Sequence, residues 1–237
     1  MPAPAVHHPL FARLWSLMSR HEPADIRHHR DELLAGLSGR VIELGTGTGS
    51  NFAHYPPTVE EVVAVEPEPY LRERARAAAA RADVRITVLD GVADHLPADD
   101  CSFDVAVPCL VLCTVPDQAP ALAELGRVLR PDGELRFYEH VLSERPAIPR
   151  SQRTVDRVFW PRAFGGCHTA RDTPTAIAEA AGARPCPHAR RPGTRGADYR
   201  RVCGARAQTR CRLSARPRRP LSPTAQTPSR ADARRNL

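Results

Sequence analysis

A glycine-rich loop that directly follows a short apolar strand constrains this chain more than any other feature. The apolar run at 40–44 leads into the sequence ELGTGTG at 43–49. Glycines at alternate positions permit positive φ angles and let the backbone approach a bound molecule closely. The sequence therefore predicts that this loop closes the first strand of a sheet and binds a ligand; a simple tight turn is the other interpretation.

Strand-like and helix-like segments alternate along the first three-quarters of the chain. Further strands are predicted at 61–67, 84–91, 102–112 and 133–141, and helices at 10–36, 69–82 and 116–131. Alternation at this spacing indicates βαβ units and a parallel sheet. Because the strands are near-continuous apolar runs, helices should cover both faces of that sheet. We therefore predict an α/β fold with a doubly wound, mostly parallel sheet.

A carboxylate at the end of the second predicted strand narrows the choice of ligand. Glu66 lies about 20 residues after the glycine loop, where an acidic side chain can accept hydrogen bonds from both ribose hydroxyls. A solvated strand end is the other interpretation of Glu66. The loop departs from the G-x-G-x-x-G/A pattern of dinucleotide sites, because Ser50 stands in the slot of the third glycine.

The positive charge of the chain is confined to its last quarter. The net charge is +7, yet residues 184–237 hold 15 Arg and two acidic residues, whereas residues 1–183 hold 19 Arg and 25 acidic residues. The tail has few large apolar side chains and no periodic pattern, so we predict that it is disordered. An Arg-rich arm for nucleic acid or an anionic membrane is a second interpretation, and translation out of frame is a third.

Several segments of residues 38–142 together resemble the class I S-adenosylmethionine-dependent methyltransferases of the type 11 kind. They are ELGTGTG, VAVEP, LDGVADHLPADDCSFDV, LCTVPD and LRPDGELRFYEHV. The resemblance implies a Rossmann-like domain, S-adenosyl-L-methionine as the cofactor, and methyl transfer as the reaction. The cofactor-binding residues that it implies are Glu43, Gly45, Gly47, Gly49, Glu66, Pro67, Asp90, Gly91, Val92, Cys109 and Leu110.

In that resemblance each part of the cofactor has its own segment. The glycines pass under the methionine and the ribose, and Glu66 holds the ribose hydroxyls. Asp90 and the backbone of the next two residues meet the adenine edge, and the end of the fourth strand lines the methionine arm. The acids at Glu43, Glu66 and Asp90 suit a sulfonium cation. A phosphate-rich nicotinamide dinucleotide would meet three carboxylates, so an oxidoreductase is the less favoured alternative.

A shorter segment at 159–183 resembles the thiol S-methyltransferase branch of these proteins. The matching residues are Trp160, Gly166, Cys167, Arg171 and Thr173. Thr173 is also predicted to be the N-cap of a helix, with Pro174 at the first helical position. The branch continues into two more strands, whereas here the Arg/Pro tail follows Ala183. We therefore predict that the final edge strands of the sheet are missing.

His140, at the end of the fifth predicted strand, is the best-placed candidate for a catalytic base. Imidazole titrates near neutral pH, and a base is needed only if the acceptor arrives protonated. A histidine that is hydrogen-bonded in a loop is the alternative interpretation. Tyr138 and Glu139 are weaker candidates, and Tyr138 is expected in the core.

Three cysteines lie near the predicted site, and their role stays open. Cys109, Cys113 and Cys167 are interpreted as small buried hydrophobic residues unless clustering or a lowered pKa makes one reactive. His168 is a neighbour that could pair with Cys167. The seven cysteines show no CxxC spacing, so the sequence predicts no metal site.

We therefore predict three regions: an N-terminal helical lid (1–37), an S-adenosylmethionine-binding domain (38–183) and the Arg/Pro tail (184–237). The face carrying Phe11, Leu14, Trp15 and Met18 would cover the acceptor pocket or pack in the core. The predicted function is methyl transfer to a small-molecule acceptor, such as a thiol. A nucleic-acid-binding protein, or an RNA methyltransferase that uses the tail, is the alternative. We expect no specific nucleic-acid partner, no integral membrane segment, no signal peptide and a cytoplasmic location.

Overall fold

The computed structural model describes residues 9–143, 148–180 and 198–199. The chain begins with helix α1 (Pro9–Met18), a 3-10 turn (Ser19–His21) and helix α2 (Ala24–Leu34). Residues 10–36, predicted to be helical, thus form two helices that are separated at residues 22–23. Pro23 takes an extended conformation (ψ 153°) and precedes α2, and Glu22 before it is also extended (ψ 128°), as expected for a residue that precedes proline.

A five-stranded sheet forms the centre of the molecule. Its strands are β1 (Gly39–Leu44), β2 (Val59–Val65), β3 (Ile86–Leu89), β4 (Phe103–Pro108) and β5 (Leu129–Leu135). They lie in the order β3-β2-β1-β4-β5, and every neighbouring pair is parallel. The predicted doubly wound, Rossmann-like parallel sheet is confirmed.

Helices cover both faces of this sheet, as the apolar strands predicted. Helix α3 (Pro69–Ala79) follows β2, and helix α4 (Gln118–Val128) follows β4. Alternate residues of the strands point to opposite cores: Ile42 belongs to the same buried cluster as Leu125 of α4, whereas Val41 belongs to the cluster that contains Leu34 of α2. The burial of both side-chain rows fixes the register of the strands, because a slip of one residue would exchange the two faces.

Some predicted boundaries are wrong around β5, the edge strand that pairs with β4. The helix predicted over 116–131 ends at Val128, since Leu129 is extended (ψ 141°). The fifth strand was predicted at 133–141 but begins at Leu129. Pairing with β4 then continues past β5, through a bridge between Cys109 and Tyr138. Tyr138 is buried, as expected.

The remaining elements up to residue 180 follow β5 in the chain. They are β6 (His140–Val141) and helices α5 (Ile148–Val158), α6 (Trp160–Ala163) and α7 (Thr173–Ala180). Thr173 is the first residue of α7 rather than its cap. The Asp172 carboxylate caps the helix instead, accepting from the Thr175 N–H (3.3 Å) and hydroxyl (2.8 Å).

Most of the tail lies outside the described residues. The predictions that it is disordered and that the final edge strands are missing concern those residues. The described part of the tail is the short strand β7 (Asp198–Tyr199), which pairs antiparallel with β6. Within the described ranges, no helix is both long enough and apolar enough to span a bilayer.

Candidate functional site

The glycine loop lies at the topological switch point, where the strand order reverses between the carboxyl ends of β1 and β4. Open α/β sheets bind ligands at this point. Gly45, Gly47 and Gly49 all have positive φ angles (63°, 59° and 81°). A Cβ on Gly45 would lie 2.5 Å from the Val111 side chain, and one on Gly49 would lie 2.6 Å from the Phe52 ring. The loop path therefore requires glycine for both conformation and space.

Glu43 lies under this loop and supports it. Its buried carboxylate accepts hydrogen bonds from the Thr46 hydroxyl (2.8 Å), the Asn51 amide (3.1 Å) and the Tyr55 hydroxyl (2.7 Å). Burial raises the pKa of Glu43, and these hydrogen bonds partly oppose that rise. These hydrogen bonds of Glu43 position the loop, and direct contact with a cofactor stays a prediction.

Arg30 of α2 connects the N-terminal helices to the same loop, and sequence reasoning missed it. The buried guanidinium donates to both Glu22 carboxylate oxygens (2.9 and 2.6 Å). It also donates to the Asn51 side-chain oxygen (2.5 Å) and to Cys109 Sγ (3.3 Å). An arginine in a strongly polar helix gives no sequence signal of burial, because charged residues normally lie at the surface.

Glu66 ends β2 with its carboxylate against the loop. It accepts from the backbone N–H groups of Gly47 (2.7 Å) and Glu68 (3.0 Å). Burial raises its pKa to about 7, although the two backbone hydrogen bonds act in the opposite direction. Pro67 follows, and the Glu68 carboxylate caps α3 by accepting from the Leu71 N–H (2.8 Å).

The segment after β3 lies beside the end of β2. The exposed Asp90 carboxylate pairs with Arg72 (2.9 Å), and the same guanidinium donates to the carbonyl oxygens of Glu66 (2.8 Å) and Pro67 (2.9 Å). Gly91 is close-packed, because a Cβ there would lie 2.9 Å from Val65; Val92 follows it and bridges to His95. The structure thus brings these predicted residues to one edge of the sheet.

The end of β4 lies on the other side of β1 and its glycine loop from the end of β2. Leu110 has a positive φ of 58°, which is rare for a bulky residue and indicates a backbone held under strain. The buried Glu139 carboxylate accepts from the N–H groups of Val111 (2.8 Å), Leu112 (2.8 Å) and Cys113 (3.1 Å). Glu139 thus positions the turn that follows Leu110.

His140, Cys113 and Cys167 converge next to this turn. His140 Nδ1 lies 3.3 Å from Cys167 Sγ and 3.7 Å from Cys113 Sγ, and the two sulfur atoms are 3.6 Å apart. The histidine beside Cys167 is therefore His140. His168 instead lies 3.8 Å from the Asp156 carboxylate.

This cluster makes Cys167 the most acidic of the three described free thiols. The contact with Cys113 lowers the pKa of Cys167 to about 5 against the effect of burial, and His140 contributes in the same direction. The Cys113 pKa is raised correspondingly. Burial lowers the His140 pKa, but the interactions with Cys167 raise it more. Cys109 differs, because burial raises its pKa to about 12.

Helix α1 lies over the glycine loop. Trp15 Nε1 would be 3.2 Å from a Cβ on Gly47, and the Phe11 ring would be 2.5 Å from a Cβ on Gly165. Leu14 and Met18 are 45% and 50% exposed. Leu14 and Met18 are therefore not packed in the core, whereas Trp15 contacts the glycine loop and Phe11 contacts the loop at Gly165. That α1 is a lid stays a prediction.

Comparisons with known proteins agree with this geometry. The family of methyltransferase domains matches residues 42–137. Human thiol S-methyltransferase TMT1A is 36% identical over 152 residues, which cover 62% of this chain and 62% of that protein. An uncharacterized methyltransferase of Mycobacterium tuberculosis, Rv3342, is 36% identical over 56% of this chain and 57% of its own length. The match to the human relative thus spans about three-fifths of that protein.

Solved structures share the fold. The YcgJ protein from Bacillus has a TM-score of 0.56 at 24% identity, covering 65% of this chain and 67% of that one. A SAM-dependent methyltransferase from Thermotoga maritima has a TM-score of 0.52 at 25% identity, covering 71% and 75%. The match to the methyltransferase domain family thus covers residues 42–137, and these solved structures share the fold of that region.

Proposed function

We propose that this protein transfers a methyl group from S-adenosyl-L-methionine to a small-molecule thiol. The observation that carries the proposal is the position of the Glu66 carboxylate. It accepts from the Gly47 N–H (2.7 Å) of the glycine loop, which lies where the strand order reverses. Carboxylates accept hydroxyl hydrogen bonds and favour a cationic ligand. The thiol specificity is supported by the resemblance of the segment containing Cys167 to the thiol-specific branch, and by the similarity to human TMT1A.

The residues present fit this cofactor. Gly45 and Gly47 bring the loop backbone against the side chains of Val111 and Trp15, where a Cβ would lie 2.5 and 3.2 Å from them, so a ligand on this loop would meet backbone and these two side chains. Arg72, the guanidinium next to the site, is engaged by Asp90 and two backbone carbonyl oxygens, which suits a ligand without phosphate groups. Glu66 would hold the ribose, Asp90 to Val92 the adenine, and Cys109 to Leu110 the methionine arm.

When bound, the cofactor supplies a methyl group on a positively charged sulfur, which is already an activated electrophile. The protein then mainly has to align the acceptor and exclude water. Trp15 of α1 covers the loop, and Glu139 holds the turn after β4 in place. His140, with Cys167 at 3.3 Å from its Nδ1, would hold or accept the proton of an acceptor thiol.

Two measurements test this proposal. Calorimetric titration with S-adenosylhomocysteine should show micromolar binding, whereas NAD should not bind. A panel of thiols, catechols and quinones with labelled cofactor should then label thiols preferentially. Binding of NAD in place of S-adenosylhomocysteine would overturn the cofactor assignment, and labelling of the other acceptors alone would overturn the thiol assignment. The nucleic-acid alternative rests on the tail, which lies outside the described residues except for β7.

A further inference from the structure

Three ligand atoms of the kind that bind soft metal ions converge at the carboxyl edge of the sheet. Cys113 lies in the turn after β4, His140 begins β6, and Cys167 lies in the loop between α6 and α7. Their side-chain ligand atoms all lie within 4.8 Å of one another. Among the described residues, the cluster of potential metal ligands consists of Cys113, His140 and Cys167.

Hydrogen bonds to the backbone that do not involve the thiol groups hold the three segments together. The His168 N–H donates to the Cys113 carbonyl oxygen (2.8 Å), and the Cys113 N–H donates to Glu139 (3.1 Å). Arg171 donates to the carbonyl oxygens of Leu112 (2.8 Å) and Val115 (2.6 Å). The ligand atoms are thus preorganised by the fold.

The distances between the ligand atoms match those around a single tetrahedral ion. The three separations are 3.3, 3.6 and 3.7 Å. Tetrahedral Zn²⁺ with its usual bonds to sulfur and nitrogen places neighbouring ligand atoms about 3.5–3.8 Å apart. A disulfide would require the sulfur atoms to approach to about 2.05 Å. An ion therefore fits with less movement than a disulfide does.

The donor set and its burial select the type of ion. Two sulfur atoms and one imidazole nitrogen favour Zn²⁺ and similar soft ions over Mg²⁺ or Ca²⁺. Cys113 is fully buried and Cys167 is 5% exposed, so a bound ion would be shielded from solvent on that side. The buried Glu139 carboxylate binds the Cys113 backbone and would support its orientation around a cation.

We propose that Cys113 Sγ, Cys167 Sγ and His140 Nδ1 form a three-ligand site for a thiophilic divalent cation such as Zn²⁺. Catalytic zinc sites use three protein ligands and keep the fourth position for water or substrate. Here the fourth position takes the sulfur of the thiol acceptor, which displaces a water molecule and releases its proton to solvent, because His140 Nδ1 is bound to the ion and the ion replaces it as the group that activates the thiol. This second step rests on the proposed function.

Titration of the reduced full-length protein with Co²⁺, a spectroscopic substitute for Zn²⁺, tests the site. With a phosphine as the reductant, one equivalent should give a sulfur-to-cobalt charge-transfer band, which Zn²⁺ then abolishes by competition. Cys167→Ser and His140→Gln should each weaken Co²⁺ binding by more than about tenfold. His168→Ala is the matched control and should keep wild-type binding, because His168 faces Asp156.

Several outcomes would overturn the metal site. Equal Co²⁺ affinity in all variants would place the metal elsewhere, and absence of binding with a Cys113–Cys167 disulfide in air would identify a redox pair instead. Thermal melting and S-adenosylhomocysteine titration of each variant separate unfolding from ligand loss. Metal binding without S-adenosylhomocysteine binding would overturn the proposed function alone. An unchanged Co²⁺ spectrum on addition of an alkyl thiol would overturn the acceptor step alone.

Discussion

Glu66 connects protonation to ligand binding, because its carboxylate is both buried and adjacent to the glycine loop. Glu68 and Arg72 are the charged groups that affect its pKa most directly after burial and hydrogen bonding. Since that pKa is about 7, the carboxylate changes its charge in the neutral range. The ionised form accepts hydrogen bonds more strongly than the protonated form does.

We expect the affinity for S-adenosylhomocysteine to rise between about pH 6 and pH 8, because ionised Glu66 is the better acceptor for ribose hydroxyls. Glu66→Gln should weaken binding by about 1–3 kcal/mol at pH 8 and flatten this dependence. Calorimetry across this pH range measures both effects. Asp94→Asn, which alters an exposed acid after β3, is the control and should keep the wild-type profile.

The same raised pKa predicts a pH-dependent cost to stability. Folded Glu66 titrates near pH 7 and its reference value is 4.5, so the folded state binds more protons between these values. Stability should therefore fall as pH rises from about 4.5 to 7, by roughly 3 kcal/mol from this group. Urea unfolding of Glu66→Gln should show a shallower fall than the wild type. Parallel curves for the two proteins would contradict the raised pKa.

Gly45 should tolerate no side chain. Gly45→Ala would force alanine to a φ of 63° and place its Cβ 2.5 Å from Val111. We expect a loss of about 1–3 kcal/mol in unfolding free energy and a loss of S-adenosylhomocysteine binding. Gly126→Ala in α4 is the matched control, since a Cβ there meets no atom of the described residues within 4 Å and alanine favours helix by about 0.5–1 kcal/mol. Chemical denaturation and calorimetry compare the two variants.

At the scale of elements, the sequence predicted regular segments better than contacts between loops. The five strands were recognisable because parallel strands buried on both faces are continuous apolar runs, as in β2 and β4. The ends of the strands were less predictable. A strand ends where pairing with its neighbour in the sheet stops, and the local sequence does not specify that point. The contact between Cys113 and Cys167, which lie 54 residues apart, depends on two loops whose paths no local pattern specifies.

Helix α1 should control how fast the cofactor leaves. Trp15 lies over Gly47, so Trp15→Ala should open the loop to solvent and raise the dissociation rate of S-adenosylhomocysteine. We expect a change of about tenfold, equivalent to about 1.4 kcal/mol. Leu14→Ala on the same helix is the control, because Leu14 is 45% exposed. Stopped-flow displacement measures the rates, and equal rates in both variants would argue that α1 is not a lid.

At the scale of the whole molecule, the two cores and the site depend on different parts of the chain. Every predicted cofactor residue lies between Glu43 and Leu110. The buried clusters on the two faces of the sheet extend as far as Ile177. The contribution of the tail to the described structure is the pairing of β7 with β6, while its 15 Arg give the chain its basic charge.

Truncation after Ala183 should therefore keep the domain folded and able to bind its cofactor. We expect S-adenosylhomocysteine affinity within about twofold of the full chain, which is below 0.5 kcal/mol, and a single cooperative melting transition. The loss of the two-residue pairing between β6 and β7 should lower the melting temperature slightly, because few backbone hydrogen bonds are lost. Non-specific RNA binding at low salt should disappear with the tail, since it depends on the Arg charge. Loss of cooperative melting on truncation would instead mean that the tail completes the fold, against the prediction of a disordered appendage.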